Sequence, residues 1–282
     1  MLSFKRWRRG DLRIDELGPT VYLLSALAHY GVRALLRPPI RRDTEFVTAE
    51  YNHDHRDEYW KPELSYDDFV YGNAKDLGWA LIDHQVTKAT VRDVREHSLP
   101  RLRERVAKYS KPGDLIVEYG AGTGRNLAYL ARALPDRKYL GLELTPRSVD
   151  DARRTMKQFD ISVDMQVHDV TKPYAFAQRP AVAYSVLALE QMPRTVSREA
   201  LVQMSTAASS AVICLEPIRE LYGYSLRGIT SRLRQYRADY LGGLPKHARD
   251  LGLRIVVEEL TGLAHNPLNE MCELVIETSE SR

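Results

Sequence analysis

Residues 114–126 decide the fold, and they read Asp-Leu-Ile-Val-Glu-Tyr-Gly-Ala-Gly-Thr-Gly-Arg-Asn. A short apolar run ends in the acid Glu118, and a helical pattern of apolar residues continues over 126–134. Between them stand three glycines, Gly120, Gly122 and Gly124. A short apolar run bounded by turn residues is typical of a buried strand, and glycines let a ligand approach the main chain closely. The stretch predicts a strand, a tight loop and a helix, the first unit of a nucleotide-binding α/β sheet.

The acid before the glycines restricts the ligand. A dinucleotide pocket places a pyrophosphate at this loop, and the carboxylate of Glu118 would repel it. A carboxylate suits a ligand that has a cationic end and no phosphate. S-adenosylmethionine (SAM) is such a ligand because it carries an ammonium and a sulfonium group. The loop therefore favours SAM as the cofactor.

Two further apolar runs also end in acids. Residues 138–143 end in Glu143, roughly 20 residues beyond the glycines, where a carboxylate is placed to bind both ribose hydroxyls of a nucleoside. Residues 162–168 predict a third strand, which is followed by Asp169 and Val170. Asp169 has two interpretations: it accepts the adenine amino group while Val170 packs on the ring, or it caps a helix that begins at Thr171.

Together these motifs resemble those of the class I SAM-dependent methyltransferases. The resemblance rests on residues 118–124, Glu143, 168–170 and 185–191, and it extends over about residues 105–280. It is specific for the superfamily and does not choose a subfamily. It implies a Rossmann-like α/β fold with a seven-stranded, mostly parallel sheet and an antiparallel last strand, to which this chain adds a helical N-terminal segment.

The resemblance also implies which residues bind the cofactor. Glu118 and Gly120 would hold the methionine moiety, Glu143 the ribose, and Asp169 with Val170 the adenine. Ser185 and Leu187, after the fourth strand, would border the methionine and the acceptor. The cofactor-binding residues predicted are Glu118, Gly120, Ala121, Gly122, Gly124, Asn126, Glu143, Leu144, Asp169, Val170 and Ser185.

Length and composition set the broad class. The 282 residues are 44% hydrophobic and 28% charged, which is ordinary for a soluble globular protein. We predict a helical extension over residues 1–110, which caps the acceptor side, and a SAM-binding domain over residues 111–282. With two cysteines, no apolar run of membrane-spanning length and no secretory signal pattern, the sequence predicts a cytoplasmic protein.

The N-terminal region is basic. Residues 1–42 hold nine basic and three acidic residues, a net charge of +6, around an apolar helix pattern at 21–36. This helix is expected either to rest on an anionic membrane surface or a partner protein, or to pack on the main domain with solvated arginines at its ends. The sequence favours packing, because a helix that is apolar all round is usually buried. Further helices are predicted from about 67 to 84 and from 87 to 109, the second bent near Pro100.

The acceptor side is less explicit in the sequence. Glu190 and Gln191 follow the predicted fourth strand, where such folds place reacting groups. His265 and Asn266 lie between the last two predicted strands. Glu190 and His265 are the candidate catalytic bases. Their alternatives are a salt-bridging glutamate and an ordinary turn histidine.

The candidate substrate-binding residues are Tyr51, His53, Tyr59, Gln191 and Asn266. The stretch 51–60 is polar and aromatic, and its alternative is a surface loop packed by its own rings. Two histidines in it, His53 and His55, lack a clear third ligand, so no metal site is predicted. The Tyr- and Arg-rich segment 219–242 is expected either to bind an anionic acceptor or to form a solvated helix.

The reaction predicted is O-methylation of a small-molecule or sugar hydroxyl. The sequence lacks the Asn/Asp-Pro-Pro-aromatic tetrapeptide associated with amino-methylation of bases. The first alternative is an RNA or protein methyltransferase that docks through the basic arm, although nucleic acid is not favoured as a partner because the arm lacks a recognisable RNA module. The second alternative is a non-catalytic SAM-binding protein. Homo-oligomerisation stays open.

Overall fold

The computed structural model describes residues 18–36, 63–192, 196–238 and 241–278. In chain order the elements are α1 (Pro19–Leu36), α2 (Tyr66–Tyr71), β1 (Gly78–Ile82), β2 (Gln85–Ala89), α3 (Val91–Tyr109), β3 (Leu115–Tyr119), α4 (Arg125–Ala133), β4 (Lys138–Glu143), α5 (Pro146–Gln158), β5 (Asp164–Val167), β6 (Val182–Val186), α6 (Ser197–Ala207), β7 (Ala211–Glu216), α7 (Leu226–Ala238), α8 (Leu244–Asp250), β8 (Arg254–Leu260) and β9 (Cys272–Glu277). Short 3-10 helices occupy Leu189–Gln191 and Arg219–Leu221.

The centre of the fold is a seven-stranded sheet in the order β5-β4-β3-β6-β7-β9-β8. Strands β3 to β7 pair in parallel, whereas β9 runs antiparallel to both β7 and β8. The predicted mostly parallel sheet with an antiparallel last strand is therefore confirmed. The strand order reverses between β3 and β6, and in open α/β sheets a ligand crevice forms at such a point, beyond the carboxyl ends of the strands.

Helices cover both faces of the sheet, so its strands are buried on both sides. Ile116 and Val117, neighbours in β3, point to opposite faces and are both fully buried. This explains why β3 reads as a continuous apolar run rather than as an alternating one.

The prediction of a helix from 67 to 84 is wrong beyond Tyr71. Gly72, at a φ of 88°, ends α2, and a β-hairpin of β1 and β2 follows. The hairpin turn, Asp83–His84, has φ values of 49° and 64°. Both residue types tolerate this left-handed region, but they give a weaker turn signal than glycine.

The second N-terminal helix begins later than predicted. Thr90 caps α3: its hydroxyl accepts a hydrogen bond from Asp93 N, while the Asp93 carboxylate accepts one from Thr90 N. This reciprocal capping sets the helix start at Val91 rather than Thr87, and α3 continues through Pro100.

The hairpin and α1 cover one end of the molecule. Leu81 exchanges two backbone hydrogen bonds with Ala264, in the connection between β8 and β9. Helix α1 packs on α7, and Tyr22 of α1 contacts the Trp79 ring at 5.5 Å. The predicted packing of α1 on the domain is thus observed. No helix in the described part of the chain is both long and apolar enough to cross a membrane.

Candidate functional site

The three glycines of the loop at 120–124 all have positive φ, but they differ in what surrounds them. A Cβ on Gly120 would lie 2.5 Å from Ala188 Cβ, and one on Gly124 would lie 2.6 Å from Met156 Cε. A Cβ on Gly122 would meet no atom within 4 Å. Packing against Ala188 therefore requires glycine at position 120, whereas the contact at Gly124 is with the flexible end of Met156 and Gly122 faces open space.

Glu143 joins this loop to the end of the second parallel strand. Its Oε2 accepts a hydrogen bond of 3.0 Å from Gly122 N, and its Oε1 accepts bonds from the backbone N and hydroxyl of Thr145. The side chain is buried. A carboxylate has about four acceptor positions, and three of them are taken here, so Glu143 retains about one for a ligand hydroxyl. Leu144, half-buried, follows at the bend before α5.

Glu118 is buried below the loop in a polar network. Its Oε1 accepts from Asn126 Nδ2 at 2.7 Å and its Oε2 from the Tyr184 hydroxyl at 3.0 Å. Burial raises the pKa of Glu118 to about 8, and the bonds from Asn126 and Tyr184 and the charge of Arg95 oppose that shift. The predicted contact between Glu118 and the methionine moiety stays a prediction, because this carboxylate is already engaged by protein groups.

Arg95 of α3 completes this network, although it was not among the residues predicted from the sequence. Its Nη2 donates to Asn126 Oδ1 at 3.0 Å and its Nε to the carbonyl oxygen of Val70. Burial lowers the pKa of Arg95 to about 10, and the guanidinium is still protonated at neutral pH. In the sequence it is one basic residue among several in a polar helix, so no pattern distinguishes it.

Asp169 shows the geometry of a turn cap. Its Oδ1 accepts hydrogen bonds from the backbone N of Thr171 at 3.0 Å and from the Thr171 hydroxyl at 2.7 Å. Val170 beside it is 5% exposed. Residues 170–176 form a turn and a loop, so Asp169 caps a turn and not the start of a helix. An adenine contact through the same carboxylate stays a prediction.

The segment after β6 is fixed by a buried acid at the end of β7. Glu216 accepts hydrogen bonds from three backbone N–H groups: Oε1 from Ala188 and Leu189, and Oε2 from Glu190. Burial raises the pKa of Glu216 to about 7, and the nearby charge of Glu190 adds to that shift. Leu187, just before, has a φ of 54°, a strained conformation for this residue type.

Glu216 was missed as a site residue, although it shares the sequence signal that identified Glu118 and Glu143. Each is an acid that ends a parallel strand. Ser185, predicted to bind the cofactor, is fully buried near the end of β6.

Glu190, a predicted base, is buried and oriented by its neighbours. Its Oε2 accepts a hydrogen bond of 2.9 Å from Asn269 Nδ2. Asn269 Oδ1 in turn accepts from Arg234 Nη1 at 2.8 Å and from Gln235. The post-β6 segment, α7 and the β8–β9 connection are therefore joined at this carboxylate. Gln191 lies in the same 3-10 helix, and its side chain is outside the described part of the structure.

His265, the other predicted base, lines a small cavity together with Arg95, Asn126 and Leu187. Its Nδ1 is buried and has no hydrogen-bond partner among the described residues. Burial, with smaller contributions from Arg95 and Arg125, lowers the pKa of His265 to about 4. The imidazole is therefore neutral at pH 7, but its basicity is low.

The remaining predicted residues are less informative. Asn266 Oδ1 accepts a hydrogen bond from Leu268 N, so this side chain stabilises a local turn. Tyr51, His53 and Tyr59 lie outside the described residues. Among the residues that the structure describes, no three His, Cys, Asp or Glu side chains form a group that could hold a metal ion.

Comparison with known proteins supports the class of the domain. Residues 116–209 match the family model described as "Methyltransferase domain". This part of the chain is similar to methyltransferase domains, which agrees with the resemblance to the class I superfamily. No curated protein matches the chain.

Solved structures show the same fold at low sequence identity. Magnesium protoporphyrin IX methyltransferase from Synechocystis PCC 6803, solved with bound SAM, has a TM-score of 0.55 at 14% identity and covers 86% of this chain and 100% of its own. An O-methyltransferase family protein from Burkholderia thailandensis has a TM-score of 0.55 at 17% identity, with 94% and 72% covered. The [4+2]-cyclase SpnF has a TM-score of 0.58 at 14% identity, with 86% and 99% covered.

SAM is the cofactor of this domain class, and the residues of the loop fit it. Gly122 leaves the space beside the loop open, and Glu143 retains about one acceptor position at the end of β4. The site has the parts that a nucleoside with a cationic tail requires.

Proposed function

We propose that the protein is a SAM-dependent O-methyltransferase that acts on the hydroxyl group of a small molecule or sugar. The observation that carries the proposal is the position of Glu190. This buried carboxylate lies just beyond the carboxyl end of β6, in a segment whose Ala188 contacts the glycine loop. The proximity of this segment to the loop supports a role for Glu190 on the acceptor side.

The cofactor residues are assigned by their places around the loop. Gly122 permits close approach, Glu143 binds the ribose hydroxyls, and Asp169 with Val170 contacts the adenine. Arg95 and Asn126 lie under the methionine end, where a guanidinium suits a carboxylate.

Bound SAM would supply an activated methyl group on a sulfonium, which departs as a neutral thioether. The protein must align the acceptor oxygen and remove its proton. Asn269 donates to Glu190 Oε2 and so fixes the orientation of the carboxylate, while Glu216 fixes the backbone that carries it. Glu190 then accepts the hydroxyl proton as the new bond forms.

His265 is the weaker candidate for the base. Its pKa of about 4 reflects a buried ring beside two arginines, which disfavour the protonated form that a base must reach. Its neutral Nδ1 suits a hydrogen bond from the acceptor or the cofactor, and that positioning role is the one we assign to it.

The test is methyl transfer from isotopically labelled SAM to a panel of phenols, sugars and other hydroxylated small molecules, with the label located by mass spectrometry. Glu190→Gln keeps an oxygen that can accept from Asn269 but removes the base, so we expect turnover to fall by about 10²–10⁴-fold with unchanged SAM binding. Glu199→Gln, at an exposed position in the first turn of α6, is the matched control and should retain activity.

Full turnover by Glu190→Gln would remove Glu190 from the mechanism. Label found in RNA or protein instead of the panel would replace the small-molecule acceptor with a macromolecular one. SAM binding without transfer to any of these would favour the non-catalytic alternative.

A further inference from the structure

Exposed apolar side chains concentrate on one part of the surface. Ten large hydrophobic residues of the described chain are exposed, and seven of them lie on α1, on α7 or just before α7. These seven are Val21, Leu24, Val32, Leu36, Tyr224, Ile229 and Tyr236. Contiguous exposed apolar surface on a soluble protein marks an interaction site.

On α1 these residues form a stripe. Val21, Leu24 and Val32 recur at a helical spacing that places them on one face, and they are 44%, 50% and 54% exposed. The opposite face is buried and carries Tyr22 and Ala26. The helix therefore uses one apolar face for packing within the protein and presents a second one outward.

Helix α7 lies against α1 and has the same character. Ile229 and Tyr236, seven residues apart, are exposed on one side, whereas Ser231 and Gln235 are fully buried on the other. We call the outward sides of these two helices the α1–α7 face.

The two helices carry side-chain charge of one sign, although Arg227 of α7 is paired with the buried carboxylate of Glu270. Neither helix contains Asp or Glu, and together they contain five arginines, Arg33, Arg227, Arg232, Arg234 and Arg237. The guanidinium of Arg232 donates to the carbonyl oxygens of Tyr222 and Glu220, which are neutral acceptors. Apart from Arg33, residues 1–42 hold eight basic and three acidic residues, which adds a net charge of +5 in the sequence.

We infer that the α1–α7 face docks on the surface of an anionic lipid bilayer. An apolar stripe bordered by arginines binds such a surface by burying the stripe at the headgroup boundary while the cations meet anionic lipids. Helix α1 has 18 residues and is about 27 Å long. It is not apolar enough to cross the membrane, so it would lie along the interface.

Vesicle co-sedimentation with the full chain tests this inference. We expect binding to vesicles of phosphatidylcholine mixed with phosphatidylglycerol, weak binding to phosphatidylcholine alone, and loss of binding as salt is raised. The double variant Leu24→Asp with Val32→Asp should lower the partition coefficient for the mixed vesicles by at least about tenfold.

The matched control is Leu77→Asp with Val167→Asp. These side chains are 65% and 49% exposed, lie outside the α1–α7 face, and bring the same change in net charge. The control should bind mixed vesicles like the wild type. All four side chains are exposed, so both double variants should keep the thermal midpoint and the S-adenosylhomocysteine affinity of the wild type.

Three results would overturn the inference. The first is absence of binding to mixed vesicles, and the second is equal loss of binding in both double variants. The third is a dimer, seen by light scattering, that only Leu24→Asp with Val32→Asp dissociates, because the face would then be a self-interface. None of these outcomes depends on whether the protein transfers a methyl group.

Discussion

Gly122→Ala offers the sharpest test of the cofactor loop, because it separates ligand approach from protein packing. A Cβ at this position would touch no protein atom within 4 Å. The folded protein therefore has room for the methyl group. The φ of 54° lies in the left-handed region, which costs a non-glycine residue about 1–2 kcal/mol. The restriction of the unfolded chain offsets about 0.4–1 kcal/mol of this cost.

The expected loss of stability is therefore about 1 kcal/mol, or about 2–4 °C in thermal midpoint. Binding should suffer more. If the cofactor approaches the main chain at Gly122, the added methyl group overpacks the contact, which costs about 1–3 kcal/mol. That corresponds to about a 5- to 150-fold weaker affinity.

Gly113→Ala is the matched control. Gly113 has a φ of 86°, a Cβ there would also meet nothing within 4 Å, and it precedes β3 at the end opposite the loop. Both variants should lose similar stability in thermal melts. Calorimetry with S-adenosylhomocysteine should show weaker binding only for Gly122→Ala. Wild-type affinity in Gly122→Ala would refute the assignment of the open side of the loop to the cofactor.

Two further predictions concern the acids around the loop. Glu143→Ala removes the acceptor for Gly122 N and the proposed ribose partner, so SAM affinity should fall at least about tenfold in calorimetry; unchanged affinity would contradict the cofactor assignment. Burial raises the pKa of Glu118 from 4.5 to about 8, so the unfolded chain loses this proton first and the raised pKa makes folding less favourable as pH rises from about 5 to 8. Glu118→Gln should abolish that dependence. Chemical denaturation should therefore show that the free energy of unfolding falls between pH 5 and pH 8 by more in the wild type than in the variant. An equal fall in both proteins would show that the pKa of Glu118 is not raised.

The cofactor half of the fold could be predicted because its signals are local. The strand, the glycine loop and the helix at 114–134 are continuous in sequence, and β4 with Glu143 repeats the unit. Burial of both sheet faces makes the central strands β3 and β4 short apolar runs that the sequence displays directly. The observed β3 and β4 therefore agree with prediction to within one residue.

The hairpin could not be recognised with the same ease. Its turn uses Asp83 and His84 in place of glycine, and Leu81 of the hairpin also pairs with the distant Ala264. Pairing across such a separation leaves no periodic trace near the strand itself. The end of α2 was readable in principle, because Gly72 adopts the positive φ typical of a residue that ends a helix.

The arrangement of the acceptor side could not be predicted from the sequence for a related reason. Asn269 orients the side chain of Glu190, and Glu216 holds the backbone N–H of Glu190. Arg95 reaches the site by way of Asn126. These partners are distant in sequence and are ordinary polar residues, so only the folded chain brings them together.

One contact joins the glycine loop, which could be predicted from the sequence, to the acceptor-side segment after β6, which could not. The backbone of Gly120 leaves no room for a Cβ because Ala188 Cβ would lie 2.5 Å from it. The N–H of Ala188 is held by Glu216, which also holds the N–H of Glu190. A glycine that the sequence presents as a cofactor residue therefore also sets how closely the acceptor-side segment approaches the loop. Because interiors are packed without slack, a shift of Ala188 would carry Glu190 with it. Packing thus fixes the distance between the glycine loop and the candidate base Glu190 before the cofactor or the acceptor binds.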